Sequence, residues 1–119
     1  MNDVVDSACV FCRIVSGDIP ATIVHAGERV VAFRDLNPAA PTHVLVVPRE
    51  HVARMSDLED RHGDALADLF QVASHVARAE GIDRTGWRLV VNEGADAGQS
   101  VFHLHAHVLG GRSLAWPPG

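Results

Sequence analysis

The stretch His103-Leu104-His105-Ala106-His107-Val108-Leu109 alternates three histidines with apolar residues. In an extended strand successive side chains point to opposite faces, so all three imidazoles share one side. Leu104, Ala106 and Val108 then face the other way, the expected core side. Three charged rings in a row would repel, but with a pKa of about 6.5 roughly three-quarters of such rings are neutral at pH 7. A row of neutral imidazoles is either a metal site or a reaction centre, and the rest of the chain has to decide which.

Working outward, residues 101–109 read as one strand and residues 86–92 (GWRLVVN) as another, joined by a glycine-bearing loop over 93–100. From about Asp60 to Glu80, Leu66, Leu69, Phe70, Ala73, Val76 and Ala77 recur at helical spacing, and Gly81 is suited to end that helix. Ser56 with Glu59 three positions on fits a capping box opening it. Residues 21–26 and 29–34 read as strands joined at Gly27-Glu28, 35–41 as a proline-bearing loop, and 43–47 as a strand closed by Pro48. Residues 9–16 read as a short helix ending before Gly17. The order predicts an α+β fold: an antiparallel sheet of about five strands with one long helix and a short N-terminal helix.

At 119 residues the chain suits one domain, expected over residues 9–119 after a disordered 1–8. The net charge of −5 gives no footprint for nucleic acid. No apolar run approaches the roughly 18 residues a membrane span needs. The N-terminus lacks a basic region followed by an apolar block, so a cytoplasmic location is expected.

A neutral imidazole is already a nucleophile and needs orientation rather than a partner base: one ring nitrogen held, the other aimed. In the preceding loop, Gly98 allows backbone N–H groups to approach an anion, and Gln99 and Ser100 add side-chain donors. Such a pocket suits a phosphate. Cys9-Val10-Phe11-Cys12 has the spacing of half a zinc site, with a redox pair or chance as alternatives. The thioredoxin alternative fails because no βαβ pattern surrounds the pair. Two more ligands are needed, and His25, His43, His51, His62, His75 and the row itself are available.

The seven residues resemble the H-φ-H-φ-H-φ-φ signature of the histidine triad (HIT) superfamily. Cys9 to Arg13, Ile19-Pro20-Ala21, Ala32-Phe33-Arg34-Asp35, Ala40-Pro41-Thr42-His43, Val91-Asn92-Glu93-Gly94, Gly98-Gln99-Ser100 and Trp116-Pro117-Pro118-Gly119 extend the resemblance to the HINT branch. It runs from about residue 9 to the end. It implies a homodimer whose strands join across the interface, and a groove for a purine nucleotide. The implied activity is that of a hydrolase or transferase acting at the α-phosphate, a purine nucleoside phosphoramidase with an AMP-type product. His105 would attack phosphorus and become a nucleotidyl-histidine that water releases. His43 and His107 would orient the nucleophile and contact phosphate or leaving group. Asn92, Gly98, Gln99 and Ser100 would serve the phosphate or leaving-group side, Asp35 the ribose, and Phe33 and Leu36 the base. Many bacterial members pair the Cys-x-x-Cys with two histidines, here His51 and His103, so the resemblance implies a structural Zn²⁺ on Cys9, Cys12, His51 and His103. No acidic cluster of the magnesium type surrounds the motif, so no catalytic metal is expected.

Three other readings compete. One is a dinucleoside polyphosphate hydrolase of the fragile-histidine-triad branch; Ser100 and the Trp116 tail favour HINT. Another is a nucleotide-binding interaction module with weak activity. The third makes the row itself a catalytic three-histidine zinc site. His25, His62 and His75 have no recruiting spacing, and His62 and His75 are expected on a solvated helix face. Trp87 is expected in core or interface packing.

Overall fold

The computed structural model describes residues 5–119. The expectation of disorder over 1–8 falls partly on residues 1–4, which lie outside that range. Within it, the Asp6 carbonyl accepts from the Cys9 N–H and the Asp6 carboxylate from the Ala8 N–H. That turn leads into helix α1 (Val10–Ser16), which Gly17 ends at φ 88°. The positive φ explains the glycine.

Five strands follow: β1 (Ile23–Ala26), β2 (Val30–Arg34), β3 (Thr42–Pro48), β4 (Trp87–Val91) and β5 (Ala106–Gly110). Every pairing is antiparallel, in the order β1-β2-β3-β5-β4. Helix α2 (Gly63–Ala79) crosses one face, burying Leu69, Val72, Ala73, Val76 and Ala77 against Val30, Ala32, Val44, Val46, Ala106 and Val108. The alternate residues Val31, Phe33, Leu45 and Val47 form a second cluster with Phe11 of α1 on the other face. Central β3 is therefore buried along its whole length, which accounts for its unbroken apolar run. Each such valine contributes about 1.5–3 kcal/mol by leaving water. Arg34 of β2 grips Glu80 through two N–H···O bonds of 2.8 and 2.9 Å, fastening the C-terminal end of α2 to the sheet.

The histidine strand is shorter than its pattern implied. The ladder begins at Ala106, paired with Val46 and Val91, so residues 101–105 lie outside it. Pro48, which closes β3, has no N–H to give a longer ladder. The Leu104 N–H turns instead to the Val52 carbonyl at 2.6 Å. The alternation survives this departure: Ala106 and Val108 pack in the α2 cluster, while His105 and His107 line a groove on the opposite face.

The long helix also starts later than expected. Ser56 does not cap it: two 3₁₀ turns, Met55–Asp57 and Asp60–His62, precede α2. The Ser56 hydroxyl and N–H both bond to the Glu93 carboxylate, a charged acceptor brought in by the fold. A capping box does form, from Glu59 and His62, but it closes the second 3₁₀ turn, and α2 follows with His62 at its N-cap and no side-chain cap bond. His62 is consequently not on a solvated face. It is 5% exposed, with Nδ1 accepting from the Glu59 N–H and Nε2 facing Glu50 at 3.1 Å. Phe70 departs too: at about 100° round the helix from Leu69 it lies just outside the buried stripe, and it is exposed.

Candidate active site and metal centre

The residues around α1 converge first. Cys9 is the N-cap of α1, its Sγ accepting from the Cys12 N–H, and this brings both thiols to one end of the helix. His103 Nδ1 lies 3.4 Å from Cys9 Sγ and 3.5 Å from Cys12 Sγ, and His51 Nδ1 lies 3.5 Å from Cys12 Sγ. One donor atom from each of Cys9, Cys12, His51 and His103 falls within 4.8 Å of the others. Tetrahedral zinc with ordinary Zn–S and Zn–N bonds sets S and N about 3.5 Å apart. The set fits.

The tautomer fits as well. His103 Nε2 faces the Pro48 carbonyl at 2.8 Å, so that nitrogen carries the proton and the Nδ1 lone pair is left for the metal. Burial holds His103 down to about 4, which keeps the ring neutral. Burial pushes the Cys12 thiol up, and Cys9 beside it adds to the rise. A bound cation reverses that preference by stabilising the thiolate.

Two residues further on, His105 spends its nitrogens differently. Its Nδ1 faces the His103 carbonyl at 2.7 Å, so Nδ1–H donates and Nε2 keeps a free lone pair. The edge of the Phe11 ring packs against it, centroids 5.1 Å apart, fixing the imidazole plane. Beside it runs a chain of polar groups. The Ala39 N–H donates to His43 Nδ1 at 2.9 Å, which puts the remaining proton of neutral His43 on Nε2. That Nε2–H donates to His107 Nδ1 at 2.9 Å and lies 3.5 Å from an Asp35 oxygen. His107 must then carry its own proton on Nε2. Burial, then the neighbouring His105 and His43, hold His107 down to about 4, so it stays neutral at pH 7.

These groups open on a groove of about 340 Å³. His105, His107, Ser100, Phe33, Asp35 and Leu36 all line it, Leu36 at the rim where it is 89% exposed. Asn92 lies one residue beyond the end of β4 and is not among the residues that line the groove. Asp35 also accepts from the Asn37 N–H, which shapes the loop after β2.

The glycine loop differs from its sequence reading. The Gly98 N–H donates to the Ala95 carbonyl and the Gln99 N–H to the Gly94 carbonyl. The Gln99 side chain is also engaged: Oε1 accepts from the Gly94 N–H, and Nε2 donates to the Ala53 and Val101 carbonyls. These donors close the loop rather than face an anion, and exposed Ser100 is the loop's contribution to the groove lining. Gly98 and Gly94 allow that closure at φ 84° and 87°.

The row does not come together as a three-histidine site: among the described residues the donor sets close enough to share a metal are Cys9, Cys12, His51 and His103, and Asp35, His43 and His107, and neither includes His105. Sequence reasoning missed Phe11, although it sits inside the Cys-x-x-Cys. It missed the two carbonyl acceptors, which carry no side-chain signature. His25 and His75 pair edge to face 5.9 Å apart on the far side of the sheet, outside the groove. Trp116 is exposed beneath the Arg88 guanidinium.

A five-stranded antiparallel sheet with a row of histidines on the α1 face and one long helix on the other defines a protein of the histidine triad class. The HIT domain sequence model matches residues 16–114, and the chain belongs to that family. It is 45% identical to a 14 kDa zinc-binding protein of Zea mays, over 96% of this chain and 90% of that protein. It is 43% identical to the adenylylsulfatase HINT1 of Arabidopsis thaliana, over 96% of this chain and 78% of that protein. Among solved structures, a HIT family hydrolase from Legionella pneumophila superposes with a TM-score of 0.91 at 46% identity, covering 93% of this chain and 99% of that one.

Proposed function

We propose that this chain is a HINT-like purine nucleoside phosphoramidase, with His105 as the nucleophile. The observation that carries the reading is the 2.7 Å bond from His105 Nδ1–H to the His103 carbonyl, which leaves Nε2 free toward the groove. Nε2 bonds to the α-phosphorus as the P–N bond breaks, and the departing nitrogen takes a proton from solvent water. Water then hydrolyses the nucleotidyl-histidine, restoring Nε2 and releasing a nucleoside monophosphate. His107 Nε2–H, backed by His43 and Asp35, donates to phosphate oxygens or to the leaving nitrogen, and Ser100 Oγ donates on the other side. Asp35 binds the ribose, Phe33 and Leu36 flank the base, and Asn92 serves the phosphate side. Gly98 and Gln99 act by shaping the loop. The relatives named as hydrolases support the coarse activity, and the Arabidopsis relative carries an adenylyl substrate in its name.

The catalysis needs positioning and hydrogen-bond donors, which the histidines supply, so we assign no catalytic metal. Cys9, Cys12, His51 and His103 would hold a structural Zn²⁺, which would cross-link α1, the segment after β3 and the approach to β5. Among the described residues no strand pairs with the outer side of edge strand β4, which supports a homodimer joined strand to strand there. We assign the protein to the cytoplasm, where reduced thiols suit zinc; among the described residues no helix is long and apolar enough to cross a membrane. Turnover of adenosine 5′-phosphoramidate against diadenosine triphosphate tests the reading: the phosphoramidate should be the better substrate. Preference for the dinucleotide would move the chain to the fragile-histidine-triad activity.

A further inference from the structure

The loop leaving β4 begins with a carboxylate, Glu93, although it leads to the residue assigned to an anion, Ser100. A free carboxylate there would repel phosphate. Instead Glu93 is turned away. Its Oε1 accepts from the Ser56 N–H at 3.0 Å and its Oε2 from the Ser56 hydroxyl at 2.8 Å. Those bonds, with Arg54 nearby, lower its pKa from the ordinary value. The remaining attachments of the loop go to the same short strap. Gln99 Nε2 donates to the Ala53 carbonyl at 2.9 Å, the Arg54 guanidinium covers the Phe102 ring at 5.6 Å, and the Leu104 N–H donates to the Val52 carbonyl. Residues 52–56 thus hold the loop at both ends, immediately after His51, and the second Gln99 bond, to Val101, brackets Ser100.

We propose that Glu93 is a positioning residue for Ser100: by clamping the start of the loop to Ser56, while Gln99 clamps its end to Ala53, it presents the Ser100 hydroxyl to the groove that His105 lines. The role rests on the phosphoramidase reading, and the clamp itself can be measured without substrate. Glu93 acts through hydrogen bonds rather than charge. A glutamine can accept from the Ser56 N–H and donate to its hydroxyl, so Glu93→Gln should rescue what Glu93→Ala loses.

The test uses the full-length, zinc-loaded protein with Glu93→Ala, Glu93→Gln, Ser100→Ala and the Glu93→Ala/Ser100→Ala pair. In Glu93→Ala, amide hydrogen exchange across 94–100 should quicken by about tenfold or more while the β3 and β5 amides keep their protection. Its kcat for adenosine 5′-phosphoramidate should fall about tenfold with KM within about twofold, and Glu93→Gln should stay near wild type. In the Ser100→Ala background, Glu93→Ala should cost nothing further. Unchanged loop exchange overturns the proposal, as do activity losses that multiply in the pair. If the wild type turns over no phosphoramidate, the proposed function fails, and the exchange measurement still decides whether Glu93 holds the loop.

Discussion

His103 and His105 stand two residues apart on the same face of the chain, yet the fold uses them in opposite ways. His103 is fully buried, with one nitrogen given to the Pro48 carbonyl and the other turned to two thiols. His105 gives one nitrogen to the His103 carbonyl and keeps the other free in a groove. An imidazole with both nitrogens engaged is held in place; one with a single nitrogen engaged keeps a lone pair oriented, as the nucleophile role proposed for His105 requires. The residue type is the same, and the partners decide the role. The two are also joined, because the carbonyl that aims His105 belongs to the residue the metal centre would fix.

The largest effect expected from this contrast is at His105. His105→Ala should lose at least about a thousandfold in phosphoramidate turnover while retaining zinc and its melting temperature. Near-wild-type turnover would remove the distinction between the two histidines. Breaking the other side should give a different pattern. Cys12→Ser should lose zinc on metal analysis and lower the melting temperature by about 10 °C. Its turnover should fall by less than about a hundredfold, since the His103 carbonyl stays in the chain though less firmly held. If Cys12→Ser is as inactive as His105→Ala, the two regions act as one unit.

A smaller effect is expected from acid. His107 titrates near 4 in the folded protein and near 6.5 in an unfolded chain, burial being the main cause. Between those values the unfolded chain binds more protons, so stability is full above about pH 6.5 and falls as pH drops toward 4. The shift corresponds to a loss of up to about 3 kcal/mol. Melting of the zinc-loaded protein from pH 7 to 4.5 should show the loss, and His107→Asn should show a shallower one. Equal acid sensitivity in both would remove His107 as its source.

Much of the fold was legible because its signals are periodic. The order of strands and helices followed from alternation, glycines and prolines, and the histidine face survived even where the ladder did not. What failed were local signals that a distant group outbid. Ser56 left its apparent capping partner for Glu93, and His62 became a buried cap because Glu50 is brought beside it. The cysteine and histidine cluster was named through family resemblance, since spacing alone gave only half of it. The carbonyls of His103 and Pro48, which set each tautomer, were not readable at all: every residue has a carbonyl, and only the fold says which one an imidazole meets. Gln99 looked like a phosphate donor for the same reason, its amide being committed only once Ala53 and Gly94 are near.

If His105 is the nucleophile, its Nε2 is the atom that takes the nucleotide. Rapid acid-free quenching of the protein with adenosine 5′-phosphoramidate, followed by peptide mass mapping, tests it directly. An adenylyl group is expected on His105, absent from His105→Ala and released by water as AMP. An adenylyl group on any other residue, or steady turnover with His105 replaced, would contradict it.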